Sequence, residues 1–331
     1  MAIIEVRNLI KRYGKKTAVD DLTFDVPQGA IFGFVGPNGA GKTSTMRILT
    51  TLMQATAGEA YVAGYSVNKQ PRDVRRVIGY MPDFFGVYDD MTVWEYLDFF
   101  GACYEIPPEQ RKTINGDLLE LVDLAHRRDD MVDTLSRGMK QRLALARTLT
   151  HDPKVLVLDE PASGLDPRAR IEIRELLVEL ARMGKTVFFS THILADVAEI
   201  CTEVAIVEAG KLVAQGSLEE IQRALIPNRR LQVTVLGDVA ERARFLLSQL
   251  PMVKEIKRSS EVGEGELTDS IRAEKQVAGR HVLVVECEGD DTAVSAVLNH
   301  LITNGVAVLH FSEDLRNMEA VFMQATRGIV S

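Results

Sequence analysis

Residues 36–43 combine residue types and a spacing that suit phosphate chemistry, since their sequence is GPNGAGKT. The apolar residues 30–35 before them predict a buried strand, and residues 44–52 after them predict a helix. Between these elements, glycines let backbone amides turn inward toward an anion, and the helix contributes its positive end. Lys42 supplies a charge for the β- and γ-phosphates of a nucleotide, and the Thr43 hydroxyl is a suitable Mg²⁺ ligand. The alternative is a glycine turn that matches this pattern by chance, which is expected in roughly one of a hundred chains of this length.

Paired carboxylates end a second apolar strand. Residues 154–158 have the sequence KVLVL and are followed directly by Asp159 and Glu160. Beside a phosphate loop, one carboxylate of such a pair supports the metal and the other polarises water. A further buried strand, at 185–190, leads to His192. Two solvated acids at a strand end are the alternative, which the nearby phosphate loop disfavours.

The elements that must position these residues alternate between apolar strands and amphipathic helices as far as residue 224. This alternation predicts an α/β fold with a mostly parallel sheet covered on both faces, and the glycine-rich phosphate loop within it indicates the P-loop NTPase type. A mostly helical insertion at about 84–150 interrupts it. There, Thr92 and Glu95 predict a capping box that opens a helix at Val93.

A proline-containing linker near 225–230 separates a second domain, at 225–331. Its predicted order is strand, helix, strand, strand, helix, strand, which indicates a small α+β domain of the ferredoxin-like type. The polar, Glu-rich stretch 259–280 predicts a mobile loop, and residues 314–326 predict a final helix. This second domain carries no pattern with catalytic spacing.

Composition indicates an ordinary globular protein, with 331 residues, 46% hydrophobic and 26% charged residues, and a net charge of −8. No apolar run approaches the roughly 18–20 residues of a membrane span, and the N-terminus lacks a signal-peptide core. We therefore expect a cytosolic protein. The acidic balance argues against a nucleic-acid partner. The cysteines, Cys103, Cys201 and Cys287, share no ligand spacing and are expected to be reduced thiols.

Five ordered motifs over residues 2–220 resemble those of the ATP-binding subunit of ABC transporters. They are Walker A at 36–43, the signature LSRGMKQR at 135–142, Walker B with its glutamate at 155–161, the D-loop SGLD at 163–166, and the switch histidine, His192. Arg137 and Met139 depart from the commonest signature, which is LSGGQ. Residues 225–331 resemble the C-terminal extension of the multidrug, sodium and antibiotic-resistance (ABC-2 type) exporter subgroup.

The resemblance implies ATP and Mg²⁺ as cofactors and assigns catalysis to Lys42, Glu160 and His192. Glu160 would act as general base or water orienter, and His192 would hold the γ-phosphate and sense its loss. The implied metal ligands are Thr43, Asp83 and Asp159. The implied nucleotide-binding residues are Tyr13, Gly36, Pro37, Asn38, Gly39, Ala40, Gly41, Lys42, Thr43, Ser44, Ser136, Gly138 and Asp166.

The roles assigned to two of these residues depend most on the resemblance. Tyr13 by itself indicates an ordinary strand-end tyrosine, but it falls where the family has its adenine-stacking aromatic residue. Asp83 stands where the family usually has glutamine. An aspartate ligates Mg²⁺ directly and more strongly than an amide, and it adds negative charge near the γ-phosphate. We therefore expect Asp83 to keep the metal role and to alter metal dependence or rate.

By the same resemblance, two such domains sandwich two ATP molecules, with Walker A of one facing the signature of the other. Ser136 and the Gly138 amide open a helix, which suits a γ-phosphate presented by the second domain. Asp166 would link the two sites across the pair. The sequence leaves open whether that pair is a homodimer or a heterodimer.

The function that follows is an ATP-hydrolysing subunit, peripheral at the cytoplasmic face of the membrane, that powers transport through a separate multi-span permease. Export is the expected direction. The aromatic segment of Phe84, Phe85 and Tyr88 would transmit the motion to that permease.

Two other functions remain open. The first is a non-transport ABC ATPase acting in translation or DNA repair, although such proteins usually carry two ATP domains or long insertions. The second is a regulatory protein in which ATP only gates the C-terminal domain. The presence of both Glu160 and His192 argues against it, because these residues indicate an active ATPase. A P-loop kinase would not need the signature helix.

Overall fold

The structure is a computed structural model that describes residues 1–84, 86, 90–225, 228–258 and 279–313. It divides into two compact units, which meet in sequence between Leu218 and Glu219. The linker composition places this boundary at 224/225, a few residues later. None of the helices in the described ranges is long and apolar enough to cross a membrane.

The first unit alternates strands and helices. Its strands are β1 (Ala2–Tyr13), β2 (Lys16–Pro27), β3 (Ile31–Val35), β4 (Ala57–Val62), β5 (Tyr65–Ser66), β6 (Ile78–Met81), β7 (Val155–Asp159), β8 (Thr186–Thr191), β9 (Glu203–Glu208) and β10 (Lys211–Gly216). Its helices are α1 (Lys42–Leu49), α2 (Pro71–Val77), α3 (Val93–Cys103), α4 (Pro108–Leu121), α5 (Arg137–Leu149), α6 (Pro167–Arg182) and α7 (Leu194–Ile200), with short 3₁₀ turns at Ala125–Arg127 and Val132–Thr134. Helix α8 (Leu218–Leu225) spans the division between the units.

Two sheets form the first unit. One is antiparallel, with the order β2-β1-β4-β5, and its core is a long hairpin of β1 and β2. The other has the order β10-β9-β3-β8-β7-β6. Every neighbouring pair in it is parallel except β9 with β10. The predicted mostly parallel sheet is therefore confirmed.

The central strands are buried along their whole length because both faces of the sheet are covered. Successive residues point to opposite faces. Leu156 and Phe189 join a cluster shared with the helices α3 to α6, whereas Val157 and Phe188 join one shared with α1 and the antiparallel sheet. Burial on both faces explains why these strands have continuous apolar sequences.

Helix starts follow the local sequence. The Thr92 hydroxyl accepts the Glu95 amide at 3.2 Å, and the Glu95 carboxylate accepts the Thr92 amide at 2.9 Å. This capping box opens α3 at Val93, as predicted. Helix α6 begins at Pro167 behind the cap Asp166, and it buries Ile173, Leu177 and Leu180 at helical spacing. Capping therefore fixes where the helices beside the site begin.

The second unit is a four-stranded antiparallel sheet with two helices. Its elements are β11 (Asn228–Leu236), α9 (Ala240–Ser248), β12 (Val253–Arg258), β13 (Arg280–Glu288), α10 (Asp291–Thr303) and β14 (Val308–Glu313), with a 3₁₀ turn at Gly237–Val239. The strand order is β12-β13-β11-β14. Both helices contribute to one core with β11 and β13. This βαββαβ arrangement confirms the predicted small α+β domain of the ferredoxin-like type.

Some element predictions differ from the structure. The helix predicted at 44–52 runs from Lys42 to Leu49, because Thr51 takes a positive φ of 63° that a helix does not accommodate. Helix α2 was not predicted, since its seven residues bury only Val74 fully and give no periodic signal. Predictions for Phe85 and Tyr88, for residues 259–278 and for a helix at 314–326 lie outside the described residues. Phe84 is described and is 90% exposed.

Candidate functional site

Three adjacent parallel strands bring the predicted catalytic residues together. Strands β3, β8 and β7 are neighbours, and Val35 at the end of β3 pairs with Thr191 at the end of β8. Asp159 at the end of β7 pairs with Ser190. Because parallel strands end at the same edge, the segments that follow them meet there, which is where ligands bind in open α/β sheets. Walker A, Walker B and the switch histidine therefore share one edge.

The phosphate loop connects β3 to α1 and depends on Gly41. This residue precedes α1 with a φ of +96°, a conformation that residues with a side chain rarely adopt. A Cβ at this position would also lie 2.4 Å from the Ala18 carbonyl oxygen on β2. The loop is held from the other side by the Gly210 amide, which donates to the Ala40 carbonyl at 3.2 Å. The antiparallel sheet and the β9–β10 turn thus fix the shape of the loop.

The Lys42 ammonium lies over the phosphate loop and is 7% exposed. Its Nζ donates to the carbonyl oxygens of Gly36 at 2.7 Å and Pro37 at 3.3 Å. The same atom is 3.7 Å from Oε1 of Glu160. Burial lowers the pKa of Lys42, and the neighbouring Glu160 and Asp159 carboxylates oppose that shift. This places a partly desolvated cation at the centre of the loop, where a phosphate anion would bind most favourably.

Glu160 and His192 form a hydrogen-bonded pair. Nδ1 of His192 and Oε2 of Glu160 are 2.8 Å apart. An ionised carboxylate only accepts, so Nδ1 carries the hydrogen in this contact. Glu160 adopts a φ of 52°. Positive φ values are uncommon for residues with a side chain, and residues that adopt them cluster at functional sites. The Glu160 side chain is 13% exposed and that of His192 is 52% exposed, so the pair opens toward solvent on the histidine side.

Ser190 joins the two carboxylates of Walker B. Its hydroxyl donates to Oδ1 of Asp159 at 2.6 Å and accepts the Glu160 amide at 3.0 Å. Both Ser190 and Asp159 are buried. One side chain on β8 therefore fixes the Asp159 carboxylate and the backbone of Glu160. The prediction did not give Ser190 this role; its signal is a hydroxyl at the end of an otherwise apolar strand.

The predicted metal ligands differ in their surroundings. Asp159 is 1% exposed, and Thr43 lies on the first turn of α1. Asp83 is exposed and follows β6, the neighbour of β7. Burial raises the pKa of the Tyr80 phenol on β6, and the neighbouring Asp159 and Asp83 carboxylates raise it further, whereas Arg47 lowers it. In the described part of the chain, no three His, Cys, Asp or Glu side chains form a metal cluster.

Tyr13 ends β1 and is 45% exposed. Its hydroxyl is 3.3 Å from the Ser44 hydroxyl on α1 and donates to the Met53 sulfur at 2.8 Å. The Lys11 ammonium lies 5.2 Å from the centre of the ring. These contacts link an exposed aromatic ring to the helix that follows the phosphate loop, a position that suits a base bound beside the phosphates.

The signature and D-loop residues form a second cluster. Ser136 caps α5 by accepting the Met139 amide at 3.3 Å. Asp166 caps α6 by accepting the amides of Arg168 and Ala169, both at 3.0 Å. These bonds of Ser136 and Asp166 are local helix caps, and none of them reaches Lys42, Glu160 or His192.

Comparison with known proteins decides the family. The model of the ABC transporter family matches residues 19–163. The Nod factor export ATP-binding protein I of Ralstonia nicotianae is 39% identical over 260 residues, which cover 78% of this chain and 79% of that protein. The chain belongs to the ABC transporter ATP-binding family. The linearmycin resistance ATP-binding protein of Bacillus subtilis is 33% identical, over 71% of this chain and 76% of that protein.

Solved structures agree with this assignment. An ATP-binding subunit of an ABC transporter superposes with a TM-score of 0.61 at 30% identity, covering 67% of this chain and 92% of that one. An ABC transporter cassette in its ADP conformation gives a TM-score of 0.60 at 26% identity, covering 66% and 92%. The predicted family, fold and ATPase activity coupled to transport are thereby confirmed for this ABC subunit. Cassettes of this family bind nucleotide.

Proposed function

We propose that this ABC subunit hydrolyses ATP as one of a pair of ATP-binding domains and powers export through a separate multi-span membrane permease. The observation that carries the proposal is the cluster of Lys42, Glu160 and His192 at one edge of the sheet. The names of two relatives, one for Nod factor export and one for linearmycin resistance, support export.

Each residue of the cluster has a distinct role in hydrolysis. Lys42 exchanges its loop carbonyl partners for the β- and γ-phosphates of ATP. Glu160 accepts the proton of the attacking water, and its backbone is held for this task by Ser190. His192, already bonded to Glu160, holds the γ-phosphate and orients the carboxylate. Tyr13 stacks on the adenine. Hydrolysis therefore needs groups from three strand ends at once.

Mg²⁺ suits the oxygen donors of this site. Asp159 is a buried carboxylate already bound by one hydroxyl, and Thr43 offers another hydroxyl beside Lys42. Mg²⁺ is usually bound through one or two carboxylates together with substrate phosphates, so a cluster of three acidic or histidine side chains is not required. We propose Thr43, Asp159 and Asp83 as ligands. The metal would neutralise charge that develops on the phosphates.

The signature and D-loop residues of this chain would act on the nucleotide bound by the partner domain. Ser136 and the Gly138 amide would bind the γ-phosphate held by the partner domain, and Asp166 would lie between the two sites. ATP binding would then close the pair, and hydrolysis would open it. The exposed Phe84, beyond β6, is the described part of the surface proposed to contact the permease. The subunit would be peripheral at the cytoplasmic face of the membrane.

Co-purification from native membranes tests this proposal. The tagged full-length chain is isolated with and without detergent, and the proteins that accompany it are identified. A stoichiometric multi-span protein is the expected result, and it would also indicate the class of cargo. Recovery only from the soluble fraction, or together with ribosomes or DNA, would contradict the proposal and favour an ABC ATPase acting in translation or DNA repair.

A further inference from the structure

The first two turns of α5 contact the segment that joins β7 to α6. The Gln141 amide donates from Nε2 to the Pro161 carbonyl oxygen at 2.5 Å. Gln141 is buried, with 5% exposure. One turn earlier, Nη2 of Arg137 donates to the Ser163 carbonyl oxygen at 3.2 Å. The signature helix is therefore bonded to the backbone just before the D-loop and at the first residue of the D-loop.

Arg137 also packs against the turn itself. Gly164 has a φ of +67°, and a Cβ built on it would lie 2.4 Å from Nη2 and 2.5 Å from Cζ of Arg137. The guanidinium therefore lies directly against the Cα of Gly164. The turn tolerates this contact only because residue 164 has no side chain and accepts a left-handed backbone.

A third contact joins the two helices. A Cβ built on Gly138 would lie 3.1 Å from the Cβ of Ala169, on the first turn of α6. Small residues at both positions let α5 and α6 approach closely where they begin. Together with the bonds of Gln141 and Arg137, this contact joins the start of α5, the D-loop and the start of α6 into one body.

We propose that Arg137 is a positioning residue that couples the signature helix to the D-loop within one chain. The inference rests on the proposed pairing of two ATP-binding domains. In that pair, Ser136 and Gly138 meet the partner's nucleotide, whereas Glu160 acts on the chain's own. When ATP draws the signature toward the partner, Arg137 pulls the Ser163–Gly164 turn with it. The backbone that follows Glu160 then moves with the closure.

The chemistry of the side chain supports this role. The glycine that is commonest at this signature position has no side chain to reach the D-loop, whereas a charged guanidinium makes a stronger hydrogen bond than a neutral donor. Arg137 is exposed, and an exposed polar contact contributes little to the stability of the fold. Its loss should therefore change turnover and the coupling of the two sites rather than folding.

Steady-state ATPase measurements on the full-length chain test the inference. Arg137→Ala is expected to lower kcat roughly three- to tenfold, the factor that corresponds to the loss of one hydrogen bond. The KM for ATP should stay close to that of the wild type, and the Hill coefficient for ATP should fall. Arg137→Lys, which retains a charged donor, should recover part of both. Arg182→Ala, at the exposed end of α6, is the matched control and should behave like the wild type.

A double-mutant cycle with Gly164→Ala gives an independent measurement. In the wild type this substitution displaces the guanidinium, so it should reduce kcat and the Hill coefficient. In the Arg137→Ala background the clash is absent and the further loss should be smaller. Equal losses in both backgrounds, or an Arg137→Ala variant that matches Arg182→Ala, would overturn the inference. A chain that pairs in the presence of ATP with no second ATP-binding domain, neither another copy of itself nor a related chain co-purified with it, would overturn the proposed function, and the inference with it.

Discussion

At the scale of single residues, the site depends on a few buried polar groups. Ser190 holds Asp159 and the Glu160 amide, while Lys42 bonds the loop carbonyls. Asp159 and Ser190 are buried at strand ends and Lys42 is buried at the start of α1, where the surrounding apolar core strengthens each electrostatic contact.

Glu160→Gln tests the general base. The amide keeps the shape of the side chain but cannot accept a proton from water, so kcat should fall about 10²- to 10⁴-fold. ATP binding should persist, because Lys42 and the phosphate loop are intact. Turnover and the Kd for ATP are measured on the same preparation, with Glu109→Gln on α4 as the control. A variant that retains wild-type turnover would remove Glu160 from the mechanism.

Asp83→Gln tests the metal role of the residue that replaces the usual glutamine. Loss of a carboxylate near the ion should weaken Mg²⁺ binding roughly tenfold. The Mg²⁺ concentration that gives half-maximal ATPase activity is the measurement, and kcat at saturating Mg²⁺ shows whether the rate also depends on the charge. If both the Mg²⁺ affinity and turnover were unchanged, Asp83 would have no metal role.

At the scale of elements, His151 joins three parts of the first unit. It follows α5, its ring stacks on that of Tyr104 at 3.9 Å, and its Nε2 is 2.8 Å from the Ile78 carbonyl oxygen on β6. The carbonyl only accepts, so Nε2 carries the hydrogen. Burial lowers the pKa of His151, which favours the neutral ring in the folded state.

The folded state should therefore lose stability as the pH falls. The unfolded chain protonates His151 near its ordinary pKa of about 6.5 and the folded chain only at a lower pH, so between these values the unfolded state binds more protons. The free energy of unfolding should fall in this window by at most about 1.4 kcal/mol per pH unit for one proton. Above the window the contribution is constant.

Urea unfolding at several pH values, with His151→Gln and the exposed control His126→Gln, measures this dependence. The His151→Gln variant should be less stable overall, because the stacked ring is lost, but its unfolding free energy should depend less steeply on pH below about 6.5. An identical pH slope in wild type and His151→Gln would show that other groups cause the dependence.

At the scale of the whole molecule, each unit has a hydrophobic core of its own. Two clusters cover the two faces of the mostly parallel sheet, and a third belongs to the ferredoxin-like unit. A separate core is what allows a domain to fold as an independent unit. The ATP site and the second unit can therefore be perturbed separately.

Calorimetry of the full-length chain should accordingly show two unfolding transitions. ATP with Mg²⁺ should raise only the transition of the first unit, because a ligand stabilises the unit that binds it. Leu247→Ala, in the fully buried core of the second unit, should lower only the other transition, by about 2–5 kcal/mol of unfolding free energy. The surface variant Ser248→Ala is the control. A single transition that moves with both changes would contradict independent folding.

The sequence by itself predicted most of the strands and helices and identified the candidate reactive groups. The glycine loop, the paired carboxylates and the switch histidine each follow an apolar strand, and such strands stay recognisable because both faces of the sheet are buried. Thr92 and Glu95 likewise predicted the start of α3, since a capping box is a local interaction. Local signals such as these can be recognised in the sequence without any knowledge of tertiary contacts.

Only the tertiary structure decided which side chains support the reactive groups. Ser190 reaches Asp159 and Glu160 because β8 lies beside β7, a pairing between residues 31 positions apart in the chain for Asp159 and 30 for Glu160. Arg137 reaches Ser163 across 26 positions because α5 packs against the D-loop. Neither contact leaves a periodic or local pattern, since a hydrogen bond between distant segments depends on how the sheet and helices pack and not on neighbouring residues.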